Sequence, residues 1–317
     1  MKSVRFFLLL LSGLLCLPTQ ALTPPSDDAI LREFMWQRFV ALPKNERPQI
    51  GLALSAGGVR GFAHVGVLEV LDNAQVPVDY LAGTSMGSVV GGFYAAGLST
   101  DKLWELGNHI KLNTITPDLN AAGLFRFLFA RKLPTSANLS KFFEQQLGDM
   151  QFEDMPIPFS CSAMDVKTGE RVVFNSGPLA IAVRASMNLP GVFEPVEYRH
   201  RSLVDGAVVD YLPVESVEQM GADYIIASVT PLDFSSKTPT SILGYVNRVN
   251  DVRAAAMIEE SARKANFVLT NRVLDTGTLE LKKLHQAGEV GVKETYSNLG
   301  ALQEDILLHA LPYVFKK

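Results

Sequence analysis

From residue 50 onward the chain alternates short apolar runs with stretches in which apolar residues return every three or four positions. Residues 50–54, Ile-Gly-Leu-Ala-Leu, are apolar throughout, the pattern of a strand buried on both faces. A glycine-rich turn occupies 55–61, and helical periodicity follows over 62–73. The order then repeats. Residues 78–82 predict a second strand ending at Gly83, and 88–96 a second helix with Gly97 placed to stop it. Further strands are expected at 159–164, 171–175, 224–230 and 267–269, and the pattern turns helical after Thr240. Strands alternating with helices predict an α/β fold whose mainly parallel sheet is covered on both faces. With no internal repeat, low-complexity stretch or clean linker, residues 48–317 are expected to form one domain.

The first residues follow a different logic. Lys2 and Arg5 precede an apolar run over 6–17, then Pro18, Thr19, Gln20 and Ala21. This is the order of a secretory signal peptide, too short to span a bilayer as a helix. Residues 1–21 are therefore expected to be removed after Ala21, leaving an exported protein, periplasmic or secreted. Residues 22–47 form a separate N-terminal segment. Within it Ile30, Leu31, Phe34, Met35, Trp36, Phe39 and Val40 repeat at helical spacing, and Asp27 and Asp28 suit the helix start. Such a helix either docks on the domain or lies on a membrane surface.

Charge narrows the function. The net charge is −4, moving to −6 when Lys2 and Arg5 leave with the signal, and no long run carries one sign. That argues against a nucleic-acid partner, which calls for a basic face. Of the two cysteines, Cys16 lies in the signal, so Cys161 stands alone in the mature chain and reads as a buried structural thiol. Nothing resembles a calcium loop or a zinc ligand set, so no metal and no cofactor is expected.

Two glycine-rich turns carry the chemistry. Gly83-Thr84-Ser85-Met86-Gly87 fits G-x-S-x-G, the nucleophile elbow, in which glycines let the chain turn sharply from strand to helix and leave the serine on an exposed corner. The free N–H groups at the start of the following helix favour developing negative charge there. Upstream, Ser55-Ala56-Gly57-Gly58-Val59-Arg60-Gly61 lacks the lysine and the glycine spacing of a phosphate-binding loop. It suits an oxyanion hole, where successive backbone N–H groups point at one spot. No histidine is marked as the base: His64, His109, His200, His285 and His309 all sit in unremarkable contexts. Asp205-Gly206, an ordinary turn dipeptide taken alone, follows the apolar Leu203-Val204.

Taken together, these segments resemble the patatin-like phospholipases. Residues 52–68 are similar to that family's oxyanion segment, 83–87 to its elbow and Asp205-Gly206 to its D-G dyad motif. Thr168-Gly169-Glu170 through Gly177-Pro178-Leu179 to 185–193 is similar to the connecting region of bacterial members. The family's glycine motif is usually written G-G-G-x-R-G, and Ala56 stands at its first position. The resemblance implies a three-layer α/β/α fold and a Ser85–Asp205 dyad. It also implies an oxyanion hole over Gly57, Gly58, Val59 and Arg60, with Gly61, Gly83, Gly87 and Gly206 supporting the motifs. The implied substrate is a phospholipid, a lysophospholipid or another acyl ester, cleaved without metal. An aspartate at its ordinary pKa near 4 is a weak base for a serine hydroxyl, so the dyad requires a desolvated Asp205. The alternatives are an esterase triad through His285 or His309, and an inactive scaffold that binds lipid or protein. Residues 123–131, with three phenylalanines interrupted by arginines, read either as a lid or membrane-contacting flap or as an ordinary surface helix.

Overall fold

The first strand of the computed structural model, β1 (Ile50–Leu54), has every residue buried and lies inside a single sheet. The structure describes residues 27–109, 135–232, 242–274 and 280–314, with a few positions between them. The leader expected over 1–21 and the flap expected over 123–131 lie outside the described residues. β1 pairs in parallel with β2 (Tyr80–Thr84) on one side and β7 (Tyr224–Val229) on the other. β3 (Phe159–Asp165) extends the parallel part beyond β2, and β8 (Phe267–Thr270) extends it beyond β7. The other edge is antiparallel. β4 (Arg171–Phe174) and β6 (Arg201–Asp205) both pair with β3, and β5 (Val196–Tyr198) pairs with β6.

The strands β5 and β6 are absent from the sequence pattern because β5 has only three residues and β6, Arg-Ser-Leu-Val-Asp, is apolar only at Leu203 and Val204. They are joined by a tight turn whose residues, Arg199 and His200, both have positive φ, 47° and 67°. The second strand also differs from expectation, beginning two residues later and running on to Thr84. It therefore delivers the chain directly into Ser85.

Side-chain alternation along β1 divides the interior into two cores. Leu52 and Leu54 join the larger one, with α2 (Ala63–Asn73), α3 (Met86–Ala95) and α9 (Leu284–Val314). Ala53 faces the opposite way, into a cluster with Val217 of α7 (Val214–Gln219), Ile225 and Ala227, against which α8 (Ile242–Ala262) packs Ile258. Helices thus cover both faces, giving three layers. The remaining described helices are α1 (Asp27–Val40), α4 (Thr100–His109), α5 (Ala137–Leu147) and α6 (Leu179–Ser186). α1 buries Trp36 and Phe39 while the Trp36 indole N–H donates to the Ala74 carbonyl at 2.9 Å.

The pairing of α2 with α9 is unusually close. A Cβ on Gly66 of α2 would lie 2.5 Å from the Val292 nitrogen, and one on Gly291 of α9 would run into the Ala63 carbonyl. Only hydrogen at these positions lets the two backbones touch. On β3, Cys161 is fully buried and its thiol pKa is pushed up by burial, as befits an inert core group.

Candidate active site

Ser85 occupies the one residue between β2 and α3 and has φ 54°, ψ −121°. Backbone of this kind costs a non-glycine residue on the order of 1–3 kcal/mol and persists only where the surroundings enforce it. Here they do. A Cβ on Gly83 would collide with the Gly87 carbonyl, and one on Gly87 would lie 2.6 Å from the Ser55 carbonyl oxygen, so both glycines are sites of backbone contact. The Ser85 N–H donates to Ser186 Oγ at 3.0 Å, and Ser88 Oγ donates to the Ser85 carbonyl at 2.6 Å. Ser55 and Ser186 thus hold the elbow from outside, and Gly83, Gly87 and Ser88 from within.

Asp205 reaches Ser85 from two strands away. Thr84 pairs with Ser162 and Ala163 with Asp205, so β3 lies between nucleophile and carboxylate. Two strand spacings amount to roughly 10 Å, a gap that the two inward side chains close. Ser85 Oγ donates to Asp205 Oδ2 at 2.6 Å, and the Ala207 N–H donates to Oδ1 at 2.8 Å. Asp205 is 1% exposed and Ser85 6%. Burial pushes the Asp205 pKa up to about 6, while the bonds from Ser85 and Ala207 oppose the rise. The desolvated carboxylate that a dyad requires is in place. Gly206 sits against the Ser162 carbonyl with no room for a Cβ, and the Asp205 N–H donates to the Asn188 carbonyl at 2.9 Å.

The glycine-rich segment runs alongside. Gly58–Phe62 forms a 3-10 turn entering α2, and Gly58 has φ 56°, the left-handed backbone that glycine accepts at little cost. Among the described residues neither the Gly57 nor the Gly58 N–H meets a protein acceptor, and both residues line the same cavity as Ser85 and Asp205. Val59 does not line it: its side chain is packed in the core. Arg60 is buried along one wall, donating to the Thr276 carbonyl at 3.4 Å and lying beside Tyr211. Gly61 lets the turn press on the elbow, since a Cβ there would lie 2.7 Å from Met86 Cβ.

No described histidine side chain lines this cavity. His285 stacks on Trp104 at 5.3 Å between centroids, and His309 packs edge-on against Tyr224. His64 is fully buried behind the glycine-rich turn, 2.8 Å from Ser228 Oγ and 2.9 Å from the Ser55 carbonyl. Its neutral ring therefore pins the start of the oxyanion segment to β7. Burial lowers its pKa to about 4. The unfolded chain takes up this proton near pH 6.5, so the stability His64 contributes is whole above that pH and is lost as pH falls toward 4. Urea titrations should show the advantage of wild type over His64→Gln shrinking by about 2–3 kcal/mol between pH 7 and pH 4.5.

The cavity has a volume of about 380 Å3. Met164, Leu189, Pro190, Val208 and Leu232 give it apolar walls, and Arg60, Tyr211, Asn250, Asp251 and Arg253 form a polar side. An ester group fits between a nucleophile, a base and free N–H donors, with room for an apolar chain.

Comparison with known proteins settles the lineage. The sequence profile described as patatin-like phospholipase matches residues 52–217, just over half of the chain. This chain belongs to the patatin-like phospholipase family. An uncharacterised NTE family protein of Mycobacterium tuberculosis is 38% identical over 183 residues, covering 57% of this chain and 48% of that protein. The lysophospholipase NTE1 of Scheffersomyces stipitis is 28% identical over 274 residues, 77% of this chain but 17% of its own. The chain thus spans about half the length of its mycobacterial relatives and under a fifth of this fungal one. Among solved structures, human GIVD cytosolic phospholipase A2 aligns at a TM-score of 0.48 and 13% identity, over 90% of this chain and 65% of that one.

As a patatin-like protein the chain departs from the usual glycine motif at Ala56, and the structure accounts for it. Ala56 does not have positive φ, its N–H is already engaged with the Tyr211 carbonyl at 2.9 Å, and its methyl packs against Tyr211 and Ala254. The position needs no glycine and supplies no donor to the cavity. Two residues of the patatin-like site are not singled out by sequence reasoning, Ser186 and Asn188, which fix Ser85 and Asp205 by hydrogen bonds. Both fall inside the Ala185–Phe193 stretch whose resemblance to bacterial members is the one available signal.

Proposed function

We propose that the protein is a lipid acyl hydrolase of the phospholipase A or lysophospholipase type, working through a Ser85–Asp205 dyad. The 2.6 Å bond from Ser85 Oγ to a buried Asp205 carries the reading. Ser85 Oγ attacks the ester carbonyl as its proton passes to Asp205, and the new C–Oγ bond leaves negative charge on the carbonyl oxygen. The Gly57 and Gly58 N–H groups and the start of α3 offset that charge. Collapse expels the alcohol, which takes its proton from Asp205 and leaves an acyl-Ser85. Asp205 then deprotonates a water that attacks the acyl carbon, freeing the fatty acid and restoring the Ser85 hydroxyl. A pKa of about 6 leaves Asp205 mostly ionised at pH 7 yet a stronger base than an exposed aspartate.

The substrate class, phospholipid or lysophospholipid, is supported by family membership and by the apolar walls of the cavity. The leader over 1–21 supports a protein acting outside the cytoplasm, and sequencing the mature N-terminus tests cleavage after Ala21. A long-chain alkyl fluorophosphonate tests the nucleophile. Displacement of fluoride by Ser85 Oγ should place the label on the peptide containing Ser85, block hydrolysis of lysophosphatidylcholine and a p-nitrophenyl ester, and fail in Ser85→Ala. Label on another residue, or full activity in Ser85→Ala, would overturn the assignment.

A further inference from the structure

Helix α8 has two unlike faces. Its inner face belongs to the cavity: Ala254 packs on Ala56 and Tyr211, and Asn250 and Asp251 line the opening. Its outer face carries Tyr245, Val249 and Val252, which are 54%, 68% and 57% exposed. At 100° per residue these three fall in a stripe about 60° wide, directly opposite Ala254. Arg248 and Arg253 flank the stripe, one on each side, with Arg253 at the edge where the helix also lines the cavity. Arg248 lies over the ring of the exposed Phe234, 5.6 Å from its centroid, and so widens the apolar surface. An ordinary surface helix turns charged residues to water here, whereas this one turns out a tyrosine and two valines between arginines.

We propose that the outer face of α8 is the surface with which the protein docks on a phospholipid layer. Tyr245, Val249 and Val252 enter the boundary between headgroups and acyl chains, and Arg248 and Arg253 engage lipid phosphates. The occupant follows from two observations on this one helix. Cation–apolar–cation order across the stripe complements a phosphate layer over hydrocarbon, and the same helix lines the cavity, so an ester drawn from the layer at this face enters beside α8. Among the described residues no helix is long and apolar enough to cross a membrane. The inference rests on the lipid-hydrolase reading of the site and adds where that site meets its substrate. Another exposed apolar group among the described residues, Ile30, Leu31 and Phe34 on α1, lines no part of this cavity and serves as a control.

The test is flotation of the full protein with vesicles of phosphatidylcholine alone and of phosphatidylcholine mixed with phosphatidylglycerol. Val249→Ser/Val252→Ser should bind both vesicles about tenfold more weakly, with a circular dichroism spectrum and Tm matching wild type. Arg248→Gln/Arg253→Gln should lose the gain that phosphatidylglycerol confers on wild type. Leu31→Ser/Phe34→Ser should float like wild type. Unchanged flotation of the valine variant overturns the proposal, as does loss confined to the α1 variant. A wild-type dimer that the valine substitutions turn into monomer by light scattering also overturns it, by assigning the face to a second copy of the chain. Flotation is read without catalysis, so a wild type that hydrolyses no ester but binds through α8 would sink the hydrolase reading and support this surface.

Discussion

Asp205→Asn is expected to lower kcat/KM for a medium-chain ester by about 10^3–10^4-fold and to make the folded protein more stable at the same time. The first effect follows from geometry, because the amide keeps the shape but cannot take the proton that Ser85 Oγ now gives at 2.6 Å. The second follows from desolvation. Burial raises the carboxyl pKa from 3.8 to about 6, so above pH 6 the folded state carries a charge that the unfolded chain holds at less cost. The group therefore favours folding as pH falls from 6 toward 4 and disfavours it at higher pH. Removing the charge should stabilise the variant at pH 8 by up to about 3 kcal/mol, with the difference gone below pH 4. Urea denaturation of both proteins at pH 8 and pH 4 reads this directly. A variant less stable than wild type at pH 8 would show that Asp205 carries no such cost. The same ionisation sets the rate: wild-type kcat/KM should rise with pH and level off above an acid limb near pH 6.

Gly87→Ala is expected to damage both stability and rate, by a different route. The added Cβ would lie 2.6 Å from the Ser55 carbonyl oxygen and 2.8 Å from the Leu54 carbonyl carbon, backbone atoms at the junction of β1 with the glycine-rich turn. No side chain can rotate away, so the elbow and the oxyanion segment must move apart. The cost is about 1–3 kcal/mol of stability from overpacking and about 10^2-fold in kcat/KM from misplacing donors relative to nucleophile. Thermal melts and ester kinetics on the same preparation separate the two. A variant that keeps its Tm but loses its rate would place the strain wholly in the site, and one that keeps both would show the contact to be soft.

The parts of this site that the sequence makes legible are those built from local backbone chemistry. Gly83, Ser85 and Gly87 announce a tight strand-to-helix corner because only glycine fits where two backbones touch, and Gly57 and Gly58 announce exposed N–H groups for the same reason. What stays hidden is held by contacts distant in sequence. Ser186 is bound to Ser85, 101 residues away, and nothing about a serine near the end of a helix foretells it. The antiparallel hairpin that brings Asp205 to the site has one strand of three residues and another apolar only at Leu203 and Val204, so neither shows a period. Ser162 and Arg171, which hold the buried Asp210 beyond the Asp205 turn at 2.6 and 3.4 Å, likewise come together only through sheet pairing. Ala56 shows the reverse case. A departure from the motif when read as letters fits the turn once its φ and hydrogen bond are seen.

The glycine seam between α2 and α9 bears on when the protein first becomes able to act. The residues proposed for chemistry all lie between Gly57 and Asp205, so a ribosome has made every one of them with more than a hundred residues still to come. Yet α2, which follows the oxyanion turn, is clasped by Gly288 and Gly291 near the end of the chain, and β1 lacks its partner β7 until residue 229 is made. The nascent chain therefore carries the side chains proposed for acyl cleavage before a finished scaffold aligns them. Under the proposed reading, alignment of these side chains waits until α9 has been made and has packed against α2 across the glycine seam.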